Sequence, residues 1–77
     1  MNLTTRINAA PTAQVAAAIA LTSTDWTQLP NSGLTSDCVT AFATYRSAVR
    51  VIRRDNDATN AHPSTYTWPS VPDEVWS

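Results

Sequence analysis

Residues 36–54 read SDCVTAFATYRSAVRVIRR, a long run without proline or glycine that carries large apolar side chains at helical spacing. Those side chains recur every three or four positions and so share one face of an α-helix. They are Cys38, Phe42, Tyr45, Val49 and Ile52. Ser36 can cap the amino terminus, and Asp37 complements the positive end of the helix dipole. The pattern therefore predicts a helix with one face to bury.

The same predicted helix carries a cationic stripe on another face. The stripe consists of Arg46, Arg50, Arg53 and Arg54. These side chains could be solvated, with weak pairs between Asp57 and Arg53 or Arg54, or Arg46 and Arg50 could clamp the fold by pairing with Asp25 or with the chain terminus. The stripe could equally face acidic groups on a partner, because arginine makes bidentate contacts to carboxylates. Nucleic acid is the least favoured ligand, since the net charge of the chain is −1.

The small size of the chain predicts that a partner completes its interior. A domain of 77 residues seldom gains more than about 3–5 kcal/mol from a single core. Many of its apolar residues are alanines, which bury little area. Cys38 and His62 are each the only residue of their type, which excludes an intramolecular disulfide and argues against a zinc site. We expect no metal and no cofactor, and we expect burial against another chain or a second copy.

Upstream of this segment, the sequence predicts an arm and a short helix. Residues 1–10 lack apolar periodicity and are expected to form an N-terminal arm. Proline suits the first turn of a helix, so the alanine-rich run after Pro11 is predicted to be helical over about 12–22. Val15 and Ile19 are expected to lead its apolar face, while its small residues permit close approach to the long helix.

The connector and the tail carry aromatic residues outside the predicted helices. Trp26 and Leu29 interrupt a polar connector and are expected to fold back as plugs over the helix pair, because burying an indole is strongly favourable. Prolines keep residues 62–77 from forming a regular helix, so this tail is predicted to be extended. Trp68 could lie along a groove of the helical unit, whereas Trp76 is hard to place inside so small a core.

Together these patterns predict a mainly α fold: a small two-helix antiparallel unit with a Trp-bearing connector and an extended, aromatic and proline-rich C-terminal tail. A single helical domain is expected over 11–77, after the arm. The predicted structural core comprises Trp26, Leu29, Phe42, Tyr45, Val49 and Ile52. The apolar run at 13–21 is too short to span a bilayer, so we expect a soluble protein made in the cytoplasm.

Catalysis finds little support in the sequence. A serine or cysteine nucleophile needs a base, and His62 is the only imidazole. Cys38 is predicted to be a small buried apolar residue on the helix. Asp55 and Asp57 lack the following glycine and glutamate of a calcium loop, and a phosphate-binding loop is excluded because Gly33 is the only glycine. We therefore expect a protein that is not an enzyme.

Three stretches resemble the phage tail assembly chaperone-like family, whose small domains are coded near tail and tail-fibre genes. They are TDWTQLP at 24–30, YRSAVR at 45–50 and WPSVP at 68–72. The likeness covers about residues 12–72, and its most specific part is the first stretch. In the family pattern a leucine occupies the place of Val49 and an aspartate that of Val51, and the first helix usually carries charged residues. By resemblance, the family's signature positions fall on Trp26, Tyr45, Arg46, Arg50 and Trp68.

The resemblance implies a non-enzymatic bacteriophage protein that docks on another tail or tail-fibre component. We expect a lasting part of the virion tail, made in the host cytoplasm, because segments so poor in core material seldom order alone. One alternative is a transient tail or tail-fibre assembly chaperone, and another is a small nucleic-acid-binding regulator using the arginine stripe. A homo-oligomer within the assembly is compatible with either tail role. The predicted partner-binding residues are Arg46, Arg50, Arg53, Arg54, Trp68 and Trp76.

Overall fold

The computed structural model describes residues 3–77. It contains three helices, α1 (Leu3–Ala9), α2 (Ala13–Thr24) and α3 (Ser36–Arg54). Short 3₁₀ turns cover Asp25–Gln28, Asn56–Thr59 and Pro63–Thr65. Over this range no strand forms, and the only β-type pairing is an isolated antiparallel bridge between Leu34 and Trp76. The predicted mainly α class is confirmed, with one helix more than expected.

Helix α3 has the predicted bounds and the predicted buried face. Its cap lies one residue earlier than expected, since the Thr35 hydroxyl, rather than that of Ser36, accepts from the Cys38 N–H at 3.2 Å. Asp37 stands in the first turn, and two arginines stand in the last turn, where the helix dipole favours positive charge. The buried side chains are the five apolar residues of the predicted face together with Arg46.

Helix α2 runs antiparallel to α3 and packs through alanines. Its first residue, Ala13, donates its N–H to Ala61 just beyond the end of α3 at 2.8 Å, while its last turn meets Arg46 in the middle of α3. The fully buried residues of α2 are Ala13, Ala16, Ala17 and Ala20. The predicted face is wrong for Val15, which is 40% exposed, whereas the predicted Ile19 is partly buried and packs against the main core cluster. The alanines nevertheless make up the fully buried part of the helix.

Residues 3–10 do not form the expected arm. Leu3 and Ile7 lie four positions apart on one face of α1, and with Ala10 just after the helix they pack with α2 in the main core cluster. Ile7 is only 3% exposed. The first two residues of the predicted arm lie outside the described residues. A third helix therefore contributes to the core from within the chain itself.

The connector partly buries Trp26 but leaves Leu29 exposed. Helix α2 extends two residues beyond its predicted end, and the Thr24 hydroxyl donates to the Ala20 carbonyl at 2.7 Å. Trp26 is half-buried and packs on a smaller core cluster formed by Leu34, Cys38 and Phe42. Leu29 is 59% exposed, so its assignment to the core is wrong. The 3₁₀ turn ends there and the backbone becomes extended, which carries Leu29 away from the helices.

The tail is irregular after its opening 3₁₀ turn, and it returns to the start of α3. Tyr66, Trp68 and Val71 pack on the main core cluster, and the Trp68 indole N–H donates to the Pro63 carbonyl at 2.9 Å. Beyond them, the N–H of Thr35 donates to Val75 and the N–H of Ser77 to Gly33, both at 2.9 Å. The end of the tail is thereby paired with the residues that precede α3.

Candidate functional site

Arg46 forms a clamp between the end of α2 and the middle of α3. Its Nη2 donates to Asp25 Oδ1 at 2.6 Å, and its Nη1 donates to the Leu21 carbonyl at 2.7 Å and the Thr24 hydroxyl at 2.9 Å. Arg46 is 8% exposed, and its Nε is buried without a hydrogen-bond partner. The Leu21 carbonyl belongs to the last turn of α2, where intrahelical donors run out. Arg46 thus supplies a donor that the helix lacks.

This placement corrects the assignment of Arg46 to the partner-binding residues. The guanidinium is enclosed by the chain itself, so a partner has no access to it. The clamp is the alternative that the structure adopts for Arg46, whereas Arg50 is exposed and makes no such pair. The side chain of Asp25, by contrast, is 64% exposed to solvent.

Each of the three stretches that carry the resemblance contributes side chains to the interior. Trp26 donates its indole N–H to the Ser23 carbonyl at 3.1 Å, and Tyr45 is 3% exposed in the main core cluster on which Trp68 packs. Sequence reasoning missed Thr27, which is fully buried and donates its hydroxyl to the Thr24 carbonyl at 2.6 Å. The signal for it was present in TDWTQLP, where threonine recurs three positions apart.

Two tyrosines have perturbed phenols. Burial raises the pKa of Tyr45, and its hydroxyl finds no hydrogen-bond partner within the described chain. The pKa of Tyr66 is also raised, by desolvation against the protein and by the carboxylates of Asp55 and Asp57. Both shifts favour the neutral phenol. Neither tyrosine is therefore set up as an acid or base near neutral pH.

The end of α3 presents an exposed cationic patch, here named the arginine surface. It consists of Arg50, Val51, Arg53 and Arg54, which are all exposed, and Val51 is 62% exposed. Between residues 3 and 77 the only ion pair joins Arg46 to Asp25, so the three arginines here have no acidic partner. Asp55 lies next in the chain, but its carboxylate accepts a hydrogen bond from the Asp57 N–H at 3.0 Å and helps to raise the pKa of Tyr66.

The opposite end of α3 carries an exposed acidic strip, here named the acidic segment, residues 73–76. Asp73 and Glu74 are exposed, as are Val75 at 51% and Trp76 at 57%. The segment is attached through Cys38, whose thiol lies 3.2 Å from the Asp73 carbonyl and accepts from the Val75 N–H at 3.4 Å. The ring of Trp76 stacks on Trp26 with centroids 5.7 Å apart. Trp76 thus keeps one ring face on the protein and much of its area in water.

Two concave regions lie elsewhere on the chain. An open groove of about 760 Å³ follows residues 28–34 and the first turns of α3, and it has no charged residue in its lining. A cleft of about 240 Å³ lies between α1 and the tail, beside Ile7, Trp68 and Val71. Both are lined by apolar and uncharged polar groups, which can pack against another surface but include no acidic, basic or imidazole side chain to activate their hydroxyls.

The candidate nucleophile Cys38 and the candidate base His62 do not contact each other. His62 Nδ1 contacts the hydroxyl and N–H of Ser64, and the Cys38 thiol contacts the acidic segment, so no hydrogen bond joins the two. Nowhere in residues 3–77 do three histidine, cysteine or carboxylate side chains gather as metal ligands. Within the same range no helix combines the length and apolar character needed to cross a bilayer.

Comparison with known proteins returns no match: no family model, no curated protein and no solved structure corresponds to this chain. The features available for assigning a role are therefore the internal clamp and the two oppositely charged, exposed ends of α3.

Proposed function

We propose that this chain is a non-enzymatic, bacteriophage tail or tail-fibre-associated protein that docks on another tail component and remains in the virion. The observation that carries the proposal is the clamp at Arg46. Residues from the first two stretches of the resemblance, Asp25 and Arg46, bind each other directly, and Trp68 from the third packs on the cluster that contains Tyr45. Residues of all three stretches therefore lie together in one packed unit, which is compatible with their being parts of a single pattern.

The docking role is supported by what the chain leaves exposed. Arginine and tryptophan supply a large share of the binding energy in protein interfaces. Arg50, Arg53 and Arg54 are exposed without acidic partners, and Trp76 is exposed over more than half of its area. We assign these residues to partner contacts, with the half-exposed Trp68 beside the cleft at α1 as a further contact.

The proposal is tested by the protein content of purified particles of the phage that encodes the chain. Mass spectrometry of such particles should find the chain at a fixed ratio to other tail proteins. Particles assembled with the variant carrying Arg50→Ala and Arg54→Ala should contain less of it, whereas Arg6→Ala should not change its content. Arg6 is an exposed arginine on α1 that donates to the Ser23 hydroxyl of α2 at 2.8 Å, so circular dichroism first verifies that this control keeps its fold. Complete particles that lack the chain would refute a lasting virion role.

A transient assembly chaperone is the second candidate, and the open groove beside Leu29 is the observation that favours it. A chaperone needs a surface from which its client can dissociate, and the apolar and uncharged lining of this groove offers contacts without ion pairs. This candidate predicts that the chain co-purifies with unfinished tails and is absent from finished particles. Salt-sensitive binding of DNA or RNA by the purified chain, lost in the same double variant, would instead point to the nucleic-acid regulator.

A further inference from the structure

We propose that the arginine surface of one copy of the chain binds the acidic segment of a second copy. The inference deepens the proposed docking role, on which it rests, by naming one occupant of the arginine surface. The bound element is residues 73–76 of the neighbouring copy, DEVW. The copies then associate head to tail along the direction of α3.

The first argument is the match between the two surfaces in charge. The arginine surface offers three cations in five residues, and the acidic segment offers two adjacent carboxylates. None of these five groups takes part in an ion pair within the described chain. Guanidinium groups bind carboxylates in a bidentate geometry, so each carboxylate can be matched by a fork of donors.

The second argument is the match in apolar area. Val51 stands exposed among the arginines, and Val75 and Trp76 stand exposed beside the carboxylates, each over about half of its area or more. An arginine over the free area of an indole ring adds a cation–π contact. A bound acidic segment would cover three of the five large apolar residues that are most exposed within residues 3–77.

The third argument is that one copy cannot satisfy both surfaces by itself. Cys38 holds the acidic segment at the first turn of α3, whereas Arg50 and Arg54 stand 12 and 16 positions later. At about 1.5 Å per residue this separates them by roughly 18–24 Å along the helix. The pairing can therefore form only between copies.

The two surfaces differ from each other, so the contact is heterologous rather than two-fold symmetric. A heterologous contact leaves one free surface at each end of every assembly and repeats until a ring closes or a filament grows. Association should therefore continue beyond the dimer as the protein concentration rises. This behaviour distinguishes it from an isologous dimer, which stops at two copies.

The test is sedimentation equilibrium of the purified chain across a range of concentrations, at about 0.02 M and about 0.5 M salt. At low salt the mean mass should rise beyond that of a dimer, and at high salt it should return toward the monomer. Charge reversal separates the surfaces: one variant carries Arg50→Glu and Arg54→Glu, and the other carries Asp73→Arg and Glu74→Arg. Each alone should associate at least about tenfold more weakly than the original chain.

Mixing the two reversed variants provides the decisive measurement. One then has an acidic patch on α3 and the other a basic tail, so complementary ends are present again and association should return. Arg6→Glu is the control for a single charge change, compared with Arg54→Glu alone. Because Arg6 also donates to the Ser23 hydroxyl at 2.8 Å, circular dichroism verifies that this control and every other variant keep their helices. A chain that stays monomeric at low salt, or a mixture that fails to associate, overturns the proposal.

These outcomes are independent of the particle experiment. A chain found in virions but monomeric in solution would retain the proposed function and lose this inference. Association that ignores all four charge changes would place the contact elsewhere, for example in the groove beside Leu29, and would overturn it as well.

Discussion

Replacing Arg46 with alanine should cost far more stability than replacing its ionic partner Asp25. The Arg46→Ala change removes two hydrogen bonds to the end of α2, at the Leu21 carbonyl and the Thr24 hydroxyl, and leaves both acceptors in a partly or fully buried site. At about 1.5 kcal/mol for each bond from a charged donor, the loss is about 3 kcal/mol. The Asp25 carboxylate is 64% exposed, so water and salt screen its pairing, and Asp25→Ala should cost less than about 1 kcal/mol.

Urea denaturation followed by circular dichroism gives the free energies of unfolding for both variants. Because the main loss lies in hydrogen bonds rather than in the ion pair, the difference between Arg46→Ala and the original chain should persist in about 1 M salt. Arg46→Lys keeps the charge but has one nitrogen instead of the planar guanidinium. Its free energy of unfolding should therefore lie between those of the original chain and Arg46→Ala, and it should remain folded if the alanine variant does not. Arg50→Ala is the exposed control and should change stability little.

The reasoning is refuted if Asp25→Ala destabilises the chain as much as Arg46→Ala does. That result would make the ion pair, rather than the donors to α2, the source of the stabilisation. An Arg46→Ala variant within about 0.5 kcal/mol of the original chain would refute it too, because surface substitutions commonly fall in that range.

Three further predictions concern the core and the tail. Tyr45→Phe should leave stability unchanged or raise it by up to about 1 kcal/mol, since the buried hydroxyl has no partner. Because the pKa of Tyr45 is raised in the folded state, the neutral phenol contributes to the free energy of unfolding below a pH of about 10, and this contribution is lost at higher pH. The phenylalanine variant should therefore resist alkaline unfolding better in a pH titration followed by circular dichroism. Ala17→Leu should destabilise by about 1–3 kcal/mol in thermal unfolding through overpacking at a fully buried site, whereas Ala41→Leu on the exposed face of α3 should not. Gly33→Ala should cost about 1–2 kcal/mol and alter the near-ultraviolet dichroism of the stacked rings, because Gly33 has φ of +84° and an added Cβ would lie 3.4 Å from the Trp76 ring; an unchanged spectrum and stability would contradict this.

Helix α3 could be predicted from the sequence because its signals agree with one another. Its apolar residues, its capping residues and its terminal charges all indicate the same segment, and the predicted bounds are confirmed. The cap fell one residue away because Thr35 and Ser36 both carry a hydroxyl able to accept from the first turn. Local chemistry alone does not choose between them.

Helices α1 and α2 were harder to predict because their packing faces lack contrast. In α2 the buried face is made of alanines, and Val15 drew the prediction to the wrong side. In α1 the stripe spans only two turns, which is too short for a periodic pattern to stand out among polar neighbours. Leu29 shows the reverse error, since a large apolar side chain in a loop need not be buried.

The arginine stripe illustrates a limit of sequence patterns. Arg46 and Arg50 follow the same spacing, yet one is enclosed and the other is in water. The difference depends on where the end of α2 crosses α3, and this tertiary contact cannot be predicted from the spacing of residues along α3 alone. The clamp between Arg46 and Asp25 was nevertheless among the alternatives that the sequence left open, and it is the one that forms.

The position of the Cys38 thiol has a practical consequence for measuring local opening. Cys38 is 5% exposed, and its thiol contacts the backbone of residues 73–75, so a thiol reagent can reach it only after those residues detach. When reclosing is fast, the rate of labelling divided by the rate for an unfolded chain equals the fraction of time spent open. A single native side chain can therefore report the free energy of detachment without an added dye.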